Sequence, residues 1–182
     1  SGMAGDLGEQ QSTFLGTIRS NANRMQTIID DLRDFAKLEA GQLKVDLAPI
    51  DVMQVVNESW RPLQKQFDEK KQRVVVDRPD ELPLILADSV RLIQVLTNML
   101  TNAHKYSDAE TTTTIKLTIK KKYRNKKGQN LGDVMQIAVV DEGLGISEED
   151  LNRLFHEKYF RSTNQKALDQ PGTGLGMMIT YS

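Results

Sequence analysis

Four polar residues within one predicted helix have the types and spacing that hold a charged ligand. Asn98 and Asn102 stand four apart, Lys105 three further on, and Tyr106 next to it. Helical positions three and four apart share a face, so the amides lie one turn apart on one ridge and the lysine extends it. Two amide oxygens can ligate a hard cation, and an ammonium can meet the anion that the cation accompanies. The same residues are also ordinary on a solvated helix face. The rest of the chain must decide between the two.

Two glycine-containing segments downstream do so. The apolar run Val134 to Val140 ends in Asp141-Glu142-Gly143-Leu144-Gly145-Ile146. A carboxylate at a strand end can accept from an exocyclic amine such as adenine presents, and Gly143 and Gly145 let the backbone turn close to a flat ring. Further on, Gly172-Thr173-Gly174-Leu175-Gly176 precedes a new helical start, MMITYS. Glycines at alternate positions before a helix expose backbone N–H groups to a phosphate. That run lacks the Lys-Ser/Thr ending of a P-loop and follows a loop where a dinucleotide fingerprint follows a strand. By itself it says little. The order of the three segments says more.

The elements that must position these residues can be read from periodicity. Asp88 to Ser107 has apolar residues at Leu92, Val95, Leu96, Met99, Leu100 and Ala103, a helix with one buried stripe and Asp88 as its cap, Ser89 being the other candidate. Residues 9–40 read as one long helix on a heptad seam of Ile18, Ala22, Met25, Ile29, Leu32 and Ala36, stopped by Gly41. A stripe of that length needs a partner helix. Leu43 to Ile50 reads as a strand with Pro49 at its edge or end, and Asp51 to Lys71 as a helix capped by Asp51 and kinked near Arg61 by Pro62. Arg73 to Asp77 and Leu84 to Ala87 read as strands. Thr111 to Tyr123 reads as a half-buried antiparallel strand, the segment Asn130 to Asp133 as loop, and Val134 to Val140 as a central strand. Ser147 caps a short helix with Asp150 answering it, and Ser162 to Pro171 reads as a mobile loop. The lone Trp60 is expected in the core. The lysine-rich stretch Lys120 to Lys127 is expected to be a solvated hairpin. This order predicts an α+β fold, a two-layer α/β sandwich whose mixed, mostly antiparallel sheet is covered on one face by helices, plus the long N-terminal helix.

Composition sets the outer limits. Across 182 residues, 24 basic and 25 acidic side chains give a net charge of -1, which offers no general attraction to nucleic acid or anionic lipid. Mean hydropathy is -0.46, that of a fairly polar, soluble protein. With no cysteine, disulfides, thiolate metal sites and cysteine nucleophiles are excluded. No run of eighteen apolar residues exists to cross a membrane.

The motifs resemble the ATP-binding domain of sensor histidine kinases, within the larger Bergerat-type family that includes gyrase, Hsp90 and MutL. QVLTNMLTNAHKYS resembles the family's asparagine-rich helix, DEGLGI its first glycine motif, GTGLG its second, and LFHEKYFR the phenylalanine motif between them. RSNANRMQTIIDDLRDFAKLEAGQLKV is similar to the second helix of the dimerisation and histidine-phosphotransfer hairpin. The resemblance implies a partial phosphotransfer helix at 9–41 and an ATP-binding catalytic domain at 42–182, cut short at its C-terminal end. It implies ATP and Mg2+ as ligands. Asp141 would accept from the adenine amine, Tyr106 would pack on the base, and Gly143 and Gly145 would shape its pocket. Asn102 would ligate magnesium with Asn98 assisting there or at the phosphates. Lys105 would contact phosphate, the segment Gly172-Thr173-Gly174-Leu175-Gly176 would hold the phosphate-side loop, and Arg161 would reach the terminal phosphates when the lid closes. The reaction implied is γ-phosphoryl transfer to a histidine outside these residues. The partners implied are a second protomer along the N-terminal helix and a response-regulator receiver domain, in a cytoplasmic setting, without nucleic acid and with no membrane contact by this segment.

Three departures stand beside the resemblance. Neither histidine, His104 or His156, sits in the family's acceptor pattern. His156 occupies the place where a phenylalanine usually precedes the glutamate, and the family's two closing strands are not included. A degenerate domain serving only as a dimerising interaction module is the competing expectation. A protein-serine kinase or ATPase of the wider family is a third, disfavoured by the heptad helix that feeds into the domain and, for an ATPase, by the lack of any glutamate between Asp88 and Ser107 to activate water.

Overall fold

A pleated surface and two helices stacked on it carry the site. The computed structural model describes residues 8–125, 127–154, 156–157, 160–162, 164–170, 174 and 176–181, without the side chains of 23, 24, 27, 31 and 179. The chain divides into two units, Ser1–Leu43 and Lys44–Ser182. The first is helix α1, Glu9–Glu39. Gly41, at φ +62°, ends it in the left-handed conformation, with Gly41 N–H on the Leu38 carbonyl (3.0 Å) and Gln42 N–H on that of Lys37 (2.8 Å). Along it Phe14, Ile18 and Met25 remain exposed, at 68%, 63% and 63%. These residues lie on or beside the heptad seam read from the sequence, while Phe35 further along is buried.

The second unit begins with β1 (Ala48–Ile50), shorter than the strand expected from Leu43, because only these residues find a partner strand, in β3 (Ile85–Ala87). Helix α2 (Val52–Trp60) is capped by Asp51, whose carboxylate accepts from Met53 N–H at 2.8 Å. As Pro62 demands, the helix then tightens into a 3-10 turn at Arg61–Leu63 before α3 (Gln64–Glu69). Trp60 packs edge-on to Phe67, their ring centroids 4.9 Å apart. Strand β2 (Arg73–Asp77) follows, then β3, α4 (Ser89–Tyr106), β4 (Thr112–Arg124) and β5 (Asn130–Val140).

The main sheet runs β2-β4-β5, with β2 parallel and β5 antiparallel to β4. It is thus mixed, and β4 is central. Strand β5, expected to be central, lies at an edge among the described residues. It also begins at Asn130, where a loop was expected. A register shift near Tyr123, with Gly132 at φ +73°, lets the ladder run on to Arg124 opposite Asn130. Alternation along β4 turns Thr113, Ile115 and Leu117 inward, and the register sets Val76 and Val139 either side of Ile115. On this face sit Val52, Val55, Val56, Leu63 and Phe67 from α2–α3, and Leu96 and Leu100 from α4. Burying one such side chain contributes roughly 1.5–3 kcal/mol.

After β5 come α5 (Glu148–Leu154), α6 (Gln165–Leu168) and α7 (Gly176–Tyr181). Ser147 caps α5 through Asp150 N–H (3.1 Å), but Asp150 does not close a capping box, since its carboxylate takes the Ser162 hydroxyl instead. The stretch read as an unstructured loop contains α6, capped by Asn164, which accepts from Lys166 N–H at 3.0 Å. One turn capped from within three residues is too short to leave a periodic signal.

Candidate functional site

Helix α4 is fixed at both ends. At its start Asp88 accepts from Asp46 N–H (3.0 Å) and Arg91 N–H (3.1 Å), and these, Asp46 foremost, hold its carboxyl below the usual carboxylate range. At its end Ser107 N–H bonds to the Ala103 carbonyl. The Asp141–Gly145 turn docks on this C-terminal end. Leu144 N–H donates to the Tyr106 carbonyl at 3.0 Å, Gly143 N–H to Asp141 Oδ1 at 2.9 Å, and Thr112 N–H to Glu142 Oε2 at 2.8 Å. A Cβ on Gly143 would stand 2.6 Å from Asp141 Oδ1, 2.8 Å from the Tyr106 carbonyl and 3.0 Å from Ser107 Oγ. Only glycine permits this approach. Gly145, at φ +68°, completes the turn. Asp141 itself is exposed, with Oδ2 unpartnered among the described residues. Ser107 Oγ is buried and, among the described residues, makes no hydrogen bond.

The ridge on α4 divides in function. Asn98 is spent on α7: its Nδ2 donates to Thr180 Oγ1 at 2.9 Å, and a Cβ on Gly176 would collide with its amide. Asn102, one turn on and half-buried, has no hydrogen-bond partner among the described residues. Lys105, Tyr106 and Ser107 line a cleft of about 290 Å³ with Leu144 and, across it, Lys166 and Gln170 from α6 and its exit. Asn98, Asn102 and Asp141 stand outside that cleft. Gly174, at φ +74°, and Gly176 are described; Gly172, Thr173 and Leu175 lie outside the described residues, as does Phe155 of the phenylalanine motif. The Arg161 guanidinium is engaged at the end of α6, donating to the carbonyls of Leu168 (2.8 Å) and Gln170 (2.6 Å). His156 is exposed.

Sequence reasoning missed Ser107, Glu142 and the residues that hold the end of α4 from below, Lys70 and Gln72. Ser107 closes the motif NAHKYS and could have been marked there. Glu142, Lys70 and Gln72 act across thirty or more positions and carry no local signal.

These features fit a nucleotide with a divalent cation. Gly143 leaves a floor without a side chain, Ser107 offers an uncommitted hydroxyl beside it, and Asn102 offers an uncommitted amide oxygen. Among the described residues no group of three or more His, Asp or Glu could hold a metal, so a cation would rest on amide and phosphate oxygens.

A helix-covered mixed sheet with an Asp-x-Gly-x-Gly turn seated on the end of an asparagine-bearing helix makes an α/β sandwich whose site fits a nucleotide. Comparison places it in a family. Residues 87–182, more than half of the chain, match the model described as "Histidine kinase-, DNA gyrase B-, and HSP90-like ATPase", and residues 2–41 match "His Kinase A (phospho-acceptor) domain". The chain belongs to this family and is a sensor histidine-kinase catalytic domain of the Bergerat type, for which the family implies ATP and Mg2+ as ligands. It is 30% identical to the Non-motile and phage-resistance protein of Caulobacter vibrioides over 99% of this chain and 20% of that protein. It is 32% identical to the signal transduction histidine-protein kinase BarA of Escherichia coli (strain K12) over 96% of this chain and 18% of that protein. Among solved structures, full-length ShkA in complex with AMPPNP shares the fold, with a TM-score of 0.72 at 24% identity, over 96% of this chain and 33% of that one. The chain therefore spans about a fifth of the length of these two curated relatives. No histidine falls within residues 2–41. No described helix is long and apolar enough to cross a membrane.

Proposed function

We propose that this chain is the ATP-binding catalytic part of a two-component sensor histidine kinase, holding Mg-ATP for γ-phosphoryl transfer to a histidine outside these residues. The observation that carries this reading is the seating of the Asp141–Gly145 turn on Tyr106 and Ser107, one turn from the uncommitted Asn102. Asp141 accepts from the adenine amine, Tyr106 packs on the base, and Gly143 and Gly145 let the ring approach the backbone. Asn102 holds magnesium, Asn98, bonded across to Thr180 of α7, assists at the metal or the phosphates, and Lys105 meets phosphate. The segment Gly172 to Gly176 wraps the phosphates, and Arg161 moves onto them when the lid closes. Magnesium, when bound, neutralises phosphate charge. The transfer forms an N–P bond to a neutral imidazole and releases ADP as the bond to the β-phosphate oxygen breaks.

Residues 9–41 form the dimerisation and phosphotransfer helix and 42–182 the ATP-binding unit. The exposed stripe of α1 pairs with a second helix in a homodimer, and a receiver domain takes the phosphoryl group onward in a cytoplasmic setting. The complex of ShkA with AMPPNP supports a nucleotide ligand. The commitment of Asn98 to α7 favours one second reading, a degenerate module that dimerises without phosphotransfer.

Calorimetric titration with ATP, with and without magnesium, tests the proposal. One saturable, magnesium-strengthened site per chain is expected, weakened about tenfold or more by Asp141→Asn through loss of a charged acceptor. Asn102→Ala should abolish the magnesium effect and spare metal-free binding. Absence of saturable binding overturns the proposal in favour of the degenerate module.

A further inference from the structure

We infer that Gln72, braced by His104, is a positioning residue for the nucleotide base, an inference that rests on the nucleotide reading of this site. The last carbonyls of a helix have no partner within it and must find one elsewhere. At the end of α4 they find it on the turn between α3 and β2. Gln72 Nε2 donates to the carbonyls of Asp108 (2.9 Å), Ser107 (3.1 Å) and, more distantly, His104 (3.4 Å), while Lys70 Nζ donates to those of His104 (2.8 Å) and Ser107 (3.3 Å). Facing carbonyls alone, this amide group can only be the NH2, so Oε1 is the atom turned to His104 Nδ1 at 2.7 Å. An amide oxygen only accepts. His104 Nδ1 therefore carries a proton and donates it, and the imidazole sets the rotamer of Gln72. The ring rests on Phe67, centroids 5.0 Å apart, within the core.

The backbone is shaped to make this clasp. Lys71, between the two donors, has φ +54°, and Glu110, after the clasped turn, has φ +65°. Both are left-handed without being glycine, a conformation kept only where the surroundings over-determine it. The two residues pair, Lys71 Nζ to Glu110 Oε1 at 3.3 Å, and Glu110 N–H donates to the Lys70 carbonyl at 3.1 Å. Residues 70–73 and 107–111 are thus zipped together at the end of α4, where the Tyr106 carbonyl and the Ser107 hydroxyl form the floor on which Gly143 sits. Gln72 is 5% exposed and does not line the cleft, so it acts on the base only through that floor. Lys70 does line it, and is for that reason a poor probe.

The test is titration with adenosine and with magnesium-free ADP of the unaltered chain, Gln72→Met and His104→Leu, alongside amide exchange at Ser107 and Leu144. Both variants are expected to bind adenosine about tenfold more weakly. Their Ser107 and Leu144 amides should exchange faster, with the β2–β4 ladder still protected. His104→Asn, whose Nδ2 stands at the place of the imidazole Nδ1 and can still donate to Gln72, should stay within about twofold of the unaltered chain. Should Gln72→Met lack a cooperative unfolding transition, His104→Leu decides. Unchanged affinity or unchanged exchange in folded variants overturns this role and leaves the nucleotide reading intact. No adenosine binding by the unaltered chain overturns both.

Discussion

The proposed base-side seat and the proposed lid, the described residues between Ser147 and Gln170, are held together by different kinds of contact. The seat joins residues far apart in the chain: Gln72 to Ser107, Glu142 to Thr112, Leu144 to Tyr106. The lid is tied mostly within itself. Arg153 pairs with Glu157 (2.8 Å) and lies over the Phe160 ring, Asp150 takes Ser162, and Arg161 caps α6. After it, α7 is bonded to α4 through Asn98 and Thr180. Bonds of such short range favour opening as one piece, the behaviour that the proposed lid requires.

Breaking the seat should have the largest effect. Gly143→Val places a side chain against the Tyr106 carbonyl, a backbone atom that cannot step aside. Such overpacking costs about 1–3 kcal/mol and should remove tenfold or more of the affinity for adenosine and ATP alike. Unchanged adenosine binding would show that the turn is not the base site. A smaller effect should come from the lid's tether. Asn98→Ala deletes the bond to Thr180, worth about 1 kcal/mol. It should speed proteolysis between Ser162 and Gly176 and weaken ATP more than adenosine. Equal losses for both ligands would dissolve the contrast between seat and lid.

The smallest effect is one of pH. Burial, then the charges of Lys70 and Lys105, lower the His104 pKa below its ordinary 6.5, with Glu69 opposing. As pH falls, the unfolded chain takes up this proton before the folded one does. The stability His104 contributes is therefore complete above the unfolded value and lost as pH falls from there through the lower folded value. Denaturation midpoints from about pH 7.5 to about pH 5.5 should drop less in His104→Gln than in the unaltered chain. Parallel curves would mean that His104 titrates in the fold as it does in water.

Periodicity and caps alone determined much of this protein. The stripe of α4, the Asp51 and Asp88 caps, the Gly41 stop, the Pro62 kink and the three motif segments are legible within a few residues of chain, because helix caps, turns and side-chain alternation are local physics. The resemblance of those segments named the family that the comparisons then showed. Only the tertiary structure decided the rest. That Asn98 serves α7 while Asn102 stays uncommitted depends on a helix 79 or more positions away. That β5 lies at an edge depends on which strands find partners. That Gln72, unremarkable between two strand-like runs, holds the end of α4 depends on a turn folding back onto carbonyls 32–36 positions downstream. A helix end advertises that its carbonyls need donors. Which donors come to them is settled by packing.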